Sequence, residues 1–198
     1  MLIATHNRGK IREYRALFQH FNDDVVGLDD LGITDEVEET GPTFAENALL
    51  KARAFALLSG TETLADDSGL EVDALDGRPG VFSARYAGPD ATDEERYRKL
   101  LDELQGTPAH QRRARFRCAV AVAWPDGRIA LTTGTCEGEI AHQPSGTNGF
   151  GYDPVFVVPE HRCTMAELPE EIKNTLSHRA RATRALLQIL GRCDARQE

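Results

Sequence analysis

The sequence predicts an α/β protein, a central mixed β-sheet flanked by helices, and three observations carry that expectation. Strand and helix patterns alternate through the first part of the chain, as they do where strands are joined by helical crossovers. Arg115–Trp124 is apolar on both faces, with Phe116, Val120 and Val122 on one and Ala119, Ala121 and Ala123 on the other, so it reads as a central strand covered on two sides. Pro125-Asp126-Gly127 then joins it to a second strand pattern, Arg128–Cys136, and such a hairpin makes the sheet mixed rather than wholly parallel.

Taken in order, Leu2–Thr5 reads as a buried first strand, followed by the turn His6-Asn7-Arg8-Gly9. A helix starts near Lys10, because Ile11, Tyr14, Phe18 and Phe21 recur at helical spacing. Val25–Leu28 is a second strand, and Thr34–Thr40 an acidic loop closed by Gly41-Pro42. Thr43-Phe44-Ala45-Glu46 matches a capping box and opens a helix to about Ser59, with Asn47 and Lys51 on one face. Leu64–Ala65 and Leu70–Val72 are expected to flank a turn at Asp66-Asp67-Ser68-Gly69. Thr92–Leu104 reads as a charge-rich helix. Gly146–Pro154 interrupts the β pattern with a glycine-rich loop, and Ser177 caps a last helix whose Leu186, Leu187 and Leu190 face inward before Gly191 stops it.

The 198 residues are expected to form a single domain, 1–198, large enough for a substantial core. Hydrophobic residues at 40% and charged residues at 28% give a globular balance without a disorder signature. A net charge of −9 argues against a general nucleic-acid surface, while a small anionic ligand needs only local cations or a metal. Cys118, Cys136, Cys163 and Cys193 are widely spaced and suggest neither a zinc site nor a disulfide framework. No apolar run approaches the roughly 18 residues of a membrane span, and MLIAT is too short for a signal segment. A cytoplasmic protein without membrane or nucleic-acid partners is expected.

Three segments carry chemistry. Thr5-His6-Asn7-Arg8-Gly9-Lys10 is a strand-to-helix turn, where free backbone N–H groups, the helix dipole and the Lys10 ammonium favour a phosphate. The same residues would equally serve an ordinary capped turn, and the glycine spacing is not that of a Walker A loop. Asp66 and Asp67, with Glu38 and Glu39, offer hard oxygens that suit Mg²⁺, and a carboxylate left over could orient or deprotonate a water. A solvated acidic turn is the plainer alternative. Phe150 and Tyr152 lie on the glycine-rich loop where they could stack on a base, worth on the order of 1–3 kcal/mol, or simply pack. Lys173, His178 and Arg179 add donors that favour a keto oxygen over an exocyclic amine.

These blocks together resemble the inosine triphosphate pyrophosphatase family. The matching stretches are IATHNRGKIREY, EETGPTFAENALLKARA, LADDSGLEVDALDGRPGVFSARYAG, GTNGFGYDPVF and KNTLSHRARA, in order from Ile3 to Ala182. The resemblance implies an elongated mixed-sheet α/β fold with two lobes and a substrate cleft, usually a homodimer. It implies Mg²⁺-dependent hydrolysis of deaminated purine nucleoside triphosphates (ITP, dITP, XTP) to the monophosphate and pyrophosphate, which cleanses the nucleotide pool. By matching position it makes Thr5, His6, Asn7, Arg8, Gly9 and Lys10 phosphate-binding, with Lys51 reaching the same phosphates. Asp67 becomes the catalytic carboxylate and a metal ligand, Glu39 the second ligand, Ser68 a substrate contact and Asp66 a support. Phe150, Gly151, Tyr152, Asp153, Lys173, His178 and Arg179 become the base- and sugar-recognising set. Many relatives carry glycine at the position of His6. A pyrophosphatase for other modified nucleotides, and a nucleotide-binding module without hydrolysis, are the competing readings.

Overall fold

The computed structural model describes residues 1–19 and 24–192, so Phe21 and Cys193 lie outside the described residues. The strands are β1 (Leu2–Ile3), β2 (Val26–Gly27), β3 (Thr63–Val72), β4 (Arg113–Ala123), β5 (Ile129–Ile140), β6 (Phe156–Val158) and β7 (Cys163–Thr164). They form a mixed seven-stranded sheet in the order β2-β1-β3-β4-β5-β6-β7. β1 runs parallel to β2 and β3, whereas β6 is antiparallel to β5 and β7. The α-helices among the described residues are α1 (Arg8–Phe18), α2 (Phe44–Ser59), α3 (Asp93–Glu103), α4 (Glu170–Leu176) and α5 (His178–Ile189). None is long and apolar enough to cross a membrane.

The chain divides into two compact units. The first comprises Met1–Asp67, Cys118–Gly134 and His178–Glu198, and the second Ser68–Arg117 and Thr135–Ser177. In the first, strand alternation sends neighbouring residues to opposite faces. Ile3, Leu64, Val120 and Val122 pack with Tyr14 and Phe18 of α1 and Leu186 and Leu187 of α5. Leu2, Ala65, Ala119, Ala121 and Ala123 pack instead with Ala48, Ala52 and Phe55 of α2. β4 is therefore covered on both sides, as its two apolar faces predict. Local chemistry sets the helix ends: the Asn7 side chain accepts the Lys10 N–H, Thr43 accepts the Glu46 N–H, and Gly60 ends α2 at φ +68°. Gly134 permits a close approach, since a Cβ there would stand 2.2 Å from the His178 carbonyl oxygen at the start of α5.

One expectation is overturned. Asp66-Asp67-Ser68-Gly69 forms no turn; β3 runs through it as a continuous strand of 10 residues. The expected turn took these four residues as a break between the apolar stretches Leu64–Ala65 and Leu70–Val72. Alternation along the strand separates the two carboxylates, and each meets its own polar partners on its own face, as detailed below.

The second unit has its own core, in which Leu70, Leu100, Leu104, Phe116, Tyr152, Phe156 and Met165 are buried and the Phe116 and Phe156 rings stand 4.4 Å apart. Arg112 is 3% exposed within this unit. Its guanidinium donates to the carbonyls of Ile140, Leu104 and Ala141 at 2.8, 2.9 and 2.8 Å. Removing it would take a donor from three carbonyls that the fold turns inward, of which Leu104 O keeps the Thr107 N–H at 3.0 Å, so Arg112→Met is expected to cost about 3 kcal/mol. The measurement is the urea midpoint; a loss below about 0.5 kcal/mol, the size of an ordinary surface change, would show the clamp is dispensable.

Candidate active site

The first unit gathers the Thr5–Lys10 turn, α2 and the middle of β3. Thr5 Oγ1 accepts the Asn7 N–H at 3.2 Å, and Arg8 and Gly9 belong to the first turn of α1, so this segment is a capped helix start. A helix N-terminus carries unsatisfied N–H groups and partial positive charge. Lys10 Nζ lies 3.0 Å from Asp66 Oδ2. Asp66 is 2% exposed and also receives Arg179 Nη2 and Nε at 3.0 and 3.2 Å. Arg179 Nη1 in turn donates to Glu13 Oε2 at 2.5 Å, and the Tyr14 ring lies 5.9 Å from the guanidinium carbon. Burial alone would raise the Asp66 pKa, but Lys10, Arg179 and Lys51 outweigh it and hold the carboxyl well below the usual range.

Asp67 faces α2. Its Oδ2 accepts Asn47 Nδ2 at 3.0 Å, and its Oδ1 lies 3.9 Å from Lys51 Nζ. Lys51 also donates to Glu39 Oε1 at 2.5 Å and to the Asp66 carbonyl at 2.7 Å. Asn47 is itself oriented, because its Oδ1 accepts the Gly41 N–H at 2.7 Å, leaving the amide nitrogen aimed at Asp67. Burial raises the Asp67 pKa above its ordinary value; Lys51 opposes this, and the Glu39 charge adds to it. Lys51 has the opposite balance, since burial would lower its pKa but Asp67, Asp66 and Glu39 raise it. A carboxylate raised in this way is a stronger base than an ordinary aspartate. Asp67 and Glu39, two hard-oxygen acids sharing one lysine, fit the donor set Mg²⁺ takes from protein, the rest coming from water and phosphates.

In the second unit the glycine-rich loop is fastened from three directions. Asp153 Oδ2 accepts the Phe150 N–H at 3.0 Å and Lys173 Nζ at 2.5 Å, and Asp93 accepts the Gly151 N–H at 2.6 Å. Lys173 Nζ lies 4.9 Å from the Phe150 ring centroid, within cation–π range. Gly149 has φ +78°, and a Cβ there would stand 2.0 Å from Asp153 Oδ2, so glycine is required on both counts.

Several residues are placed differently from their expected roles. Tyr152 is a core residue, 5% exposed, whose hydroxyl donates to the Ser83 carbonyl at 2.9 Å, so packing holds it and Phe150 is left as the partly exposed ring. Lys173 sits within α4, a short helix the sequence pattern does not reveal. Arg179 is buried among carboxylates in the first unit, and His178 beside it is 7% exposed. Ser68 is half-buried on β3. Glu38 is exposed whereas Glu39 is half-buried on Lys51. The sequence reading missed Glu13 and the role of Asn47; the four-residue spacing of Asn47 from Lys51 was the available signal for the latter.

Two lysines, a helix N-terminus and adjacent carboxylates on an α/β sheet define a site suited to a phosphorylated ligand. The chain belongs to the Ham1 family, whose model matches residues 1–189. A dITP/XTP pyrophosphatase of Listeria monocytogenes is 52% identical over 186 residues, covering 94% of this chain and 92% of that protein. Among solved structures, the Staphylococcus aureus Ham1 protein superposes with a TM-score of 0.84 at 45% identity, covering 96% of this chain and 97% of its own. A HAM1 protein from Coxiella burnetii gives a TM-score of 0.86 at 42% identity, covering 97% and 98%.

Proposed function

We propose that this protein is a Mg²⁺-dependent pyrophosphatase that converts ITP, dITP and XTP to the monophosphate and pyrophosphate, removing deaminated purines from the nucleotide pool. The observation that carries this reading is Asp67, a buried carboxylate of raised pKa set between the Lys51 ammonium and the Asn47 amide. Bound at Asp67 and Glu39, Mg²⁺ would neutralise phosphate charge as a Lewis acid. Asp67 accepts a proton from the attacking water as oxygen bonds to the α-phosphorus. The bond from that phosphorus to the bridging oxygen breaks, and pyrophosphate leaves. Lys10, Lys51 and the α1 N-terminus stabilise the negative charge on the phosphate oxygens, so the protein's part is largely positioning and electrostatics. Asn47 keeps the Asp67 carboxylate oriented.

For the base, the candidates are Lys173, fixed by Asp153, and the Phe150 ring. A donor there donates a hydrogen bond to a six-oxo oxygen and leaves the six-amino group of adenine unmatched. Lys173→Ala is expected to reduce the preference for ITP over ATP about tenfold or more, since one charge-assisted hydrogen bond is worth about 1.5–3 kcal/mol. The measurement is kcat/KM for both nucleotides, and an unchanged ratio would assign base choice elsewhere.

The primary test is pyrophosphate release from ITP, XTP, ATP, GTP and dTTP with Mg²⁺ and after chelation. Preference for ITP and XTP that chelator abolishes supports the proposal. Equal rates would leave the phosphate chemistry and remove the base assignment, and no release from any of them would favour a binding module. A homodimer and a cytoplasmic location complete the proposal. The thiols of Cys118 and Cys163 suit a reducing compartment, and sedimentation equilibrium tests the dimer.

A further inference from the structure

His6 stands in the phosphate turn where a glycine would leave nothing. Its Nδ1 lies 3.2 Å from Asp29 Oδ1, and its Nε2 lies 3.1 Å from the Asp35 carbonyl oxygen. The two partners belong to different segments. Asp29 opens the short helical turn 29–31 that follows β2, and Asp35 lies in the segment 33–40, which has neither helix nor strand. That segment is held locally by few backbone bonds, among them Ile33 N–H to Leu28 O at 3.0 Å and Thr40 N–H to Glu38 O at 3.2 Å. It also delivers Glu39 to Lys51.

We propose that His6 is a positioning residue: its ring straps the acidic segment 34–40 to the phosphate turn and thereby keeps Glu39 on Lys51 and near Asp67. The strap deepens the pyrophosphatase reading, on which its catalytic consequence rests, although the strap itself is a property of the protein alone.

The chemistry of the two partners makes the strap depend on protonation. A carboxylate and a carbonyl can only accept, so both ring nitrogens must donate, and only the imidazolium carries two N–H groups. The charged groups facing the ring agree. The Asp35 carbonyl bond raises the His6 pKa, partial burial opposes it, and the Asp29 and Glu36 charges raise it further. Asp30, the neighbour of Asp29, is engaged elsewhere, with Arg15 and the Gly27 N–H at 2.7 Å each. Because the folded pKa is raised, the strap's contribution is complete below the unfolded value near 6.5 and is lost as pH rises through the folded one. Above it the neutral ring keeps one N–H, and one of the two links is released.

The test is hydrogen exchange of backbone amides, read by mass spectrometry on the metal-free full chain between pH 6 and pH 8.5 and corrected for intrinsic rates, in the parent, His6→Phe and Asp29→Asn proteins. In the parent, protection over 34–40 should fall as pH rises through the His6 titration. Asp29→Asn, at an exposed position, should move that step to lower pH. His6→Phe, which keeps a ring but no donor, should show about tenfold less protection over 34–40 and no step, the size expected for one charge-assisted hydrogen bond. Protection that is independent of pH in the parent and equal in His6→Phe would overturn the strap. Mg²⁺ titration of ITP hydrolysis by the same proteins links it to catalysis, and the half-saturating Mg²⁺ concentration should rise in His6→Phe. If the parent releases no pyrophosphate while the exchange pattern holds, the proposed function fails and the strap stands.

Discussion

Asp67→Asn is expected to lower pyrophosphate release from ITP by about a thousandfold while leaving the protein folded. Asparagine preserves the size of the side chain and can still accept from Asn47 through its own carbonyl oxygen. What it loses is the basic oxygen that takes the proton, and general-base catalysis contributes about 10²–10⁴. The rest follows from the raised pKa of Asp67. Ionised Asp67 is less comfortable in the folded protein than in water, so its charge subtracts from stability as pH rises past its unfolded value near 3.9. Neutral asparagine does not carry that burden. The variant is therefore expected to be as resistant to urea as the parent at pH 7, or more so, which is the pattern of a residue kept for chemistry at a cost in stability. Activity within tenfold of the parent would remove Asp67 from its assigned role, and a collapse in stability would make it a structural residue instead.

The fold was legible wherever its determinants are local. Thr43 and Glu46 mark the start of α2, Pro125-Asp126-Gly127 marks the β4–β5 turn, and the two apolar faces of β4 mark it as central. The adjacent aspartates show the limit. Their behaviour depends on Lys10, 56 residues before Asp66, and on Arg179, 113 residues after it, and neither partner is visible at short range. Lacking those partners, the local pattern reads as a turn. Glu13 was hidden for a related reason: a carboxylate on the buried side of an amphipathic helix makes sense only once its cation is known. Lys173 and α4 were obscured by length, because seven residues are too few to establish a helical period. The chemical segments depend on which residue types are present more than on where the elements end.

Arg179→Met is expected to be the most destabilising single change in the first unit, at about 3–5 kcal/mol, a large part of a typical domain's 5–15 kcal/mol. The side chain keeps much of its bulk, so the loss is electrostatic: Asp66 retains Lys10, and Glu13 loses its 2.5 Å partner inside a buried cluster. Arg179→Lys should recover only part of the loss, because one ammonium cannot reproduce the fork that reaches both carboxylates. Acid sensitivity provides an independent reading. In the parent the depressed Asp66 pKa contributes stability that is complete above the unfolded value near 3.9 and is lost as pH falls below it toward the folded value. Without Arg179 the folded pKa of Asp66 must rise toward the unfolded one, so that contribution shrinks and the difference between parent and variant should narrow as the pH falls below 4. Adding Glu13→Gln and Asp66→Asn to Arg179→Met removes the negative charges that Arg179 balances and should return stability relative to Arg179→Met alone. It should not return activity, because Lys10 loses the carboxylate that holds it in place. A loss below about 1 kcal/mol in Arg179→Met, or a triple variant no more stable than the single one, would mean that packing rather than charge balance holds this part of the protein together.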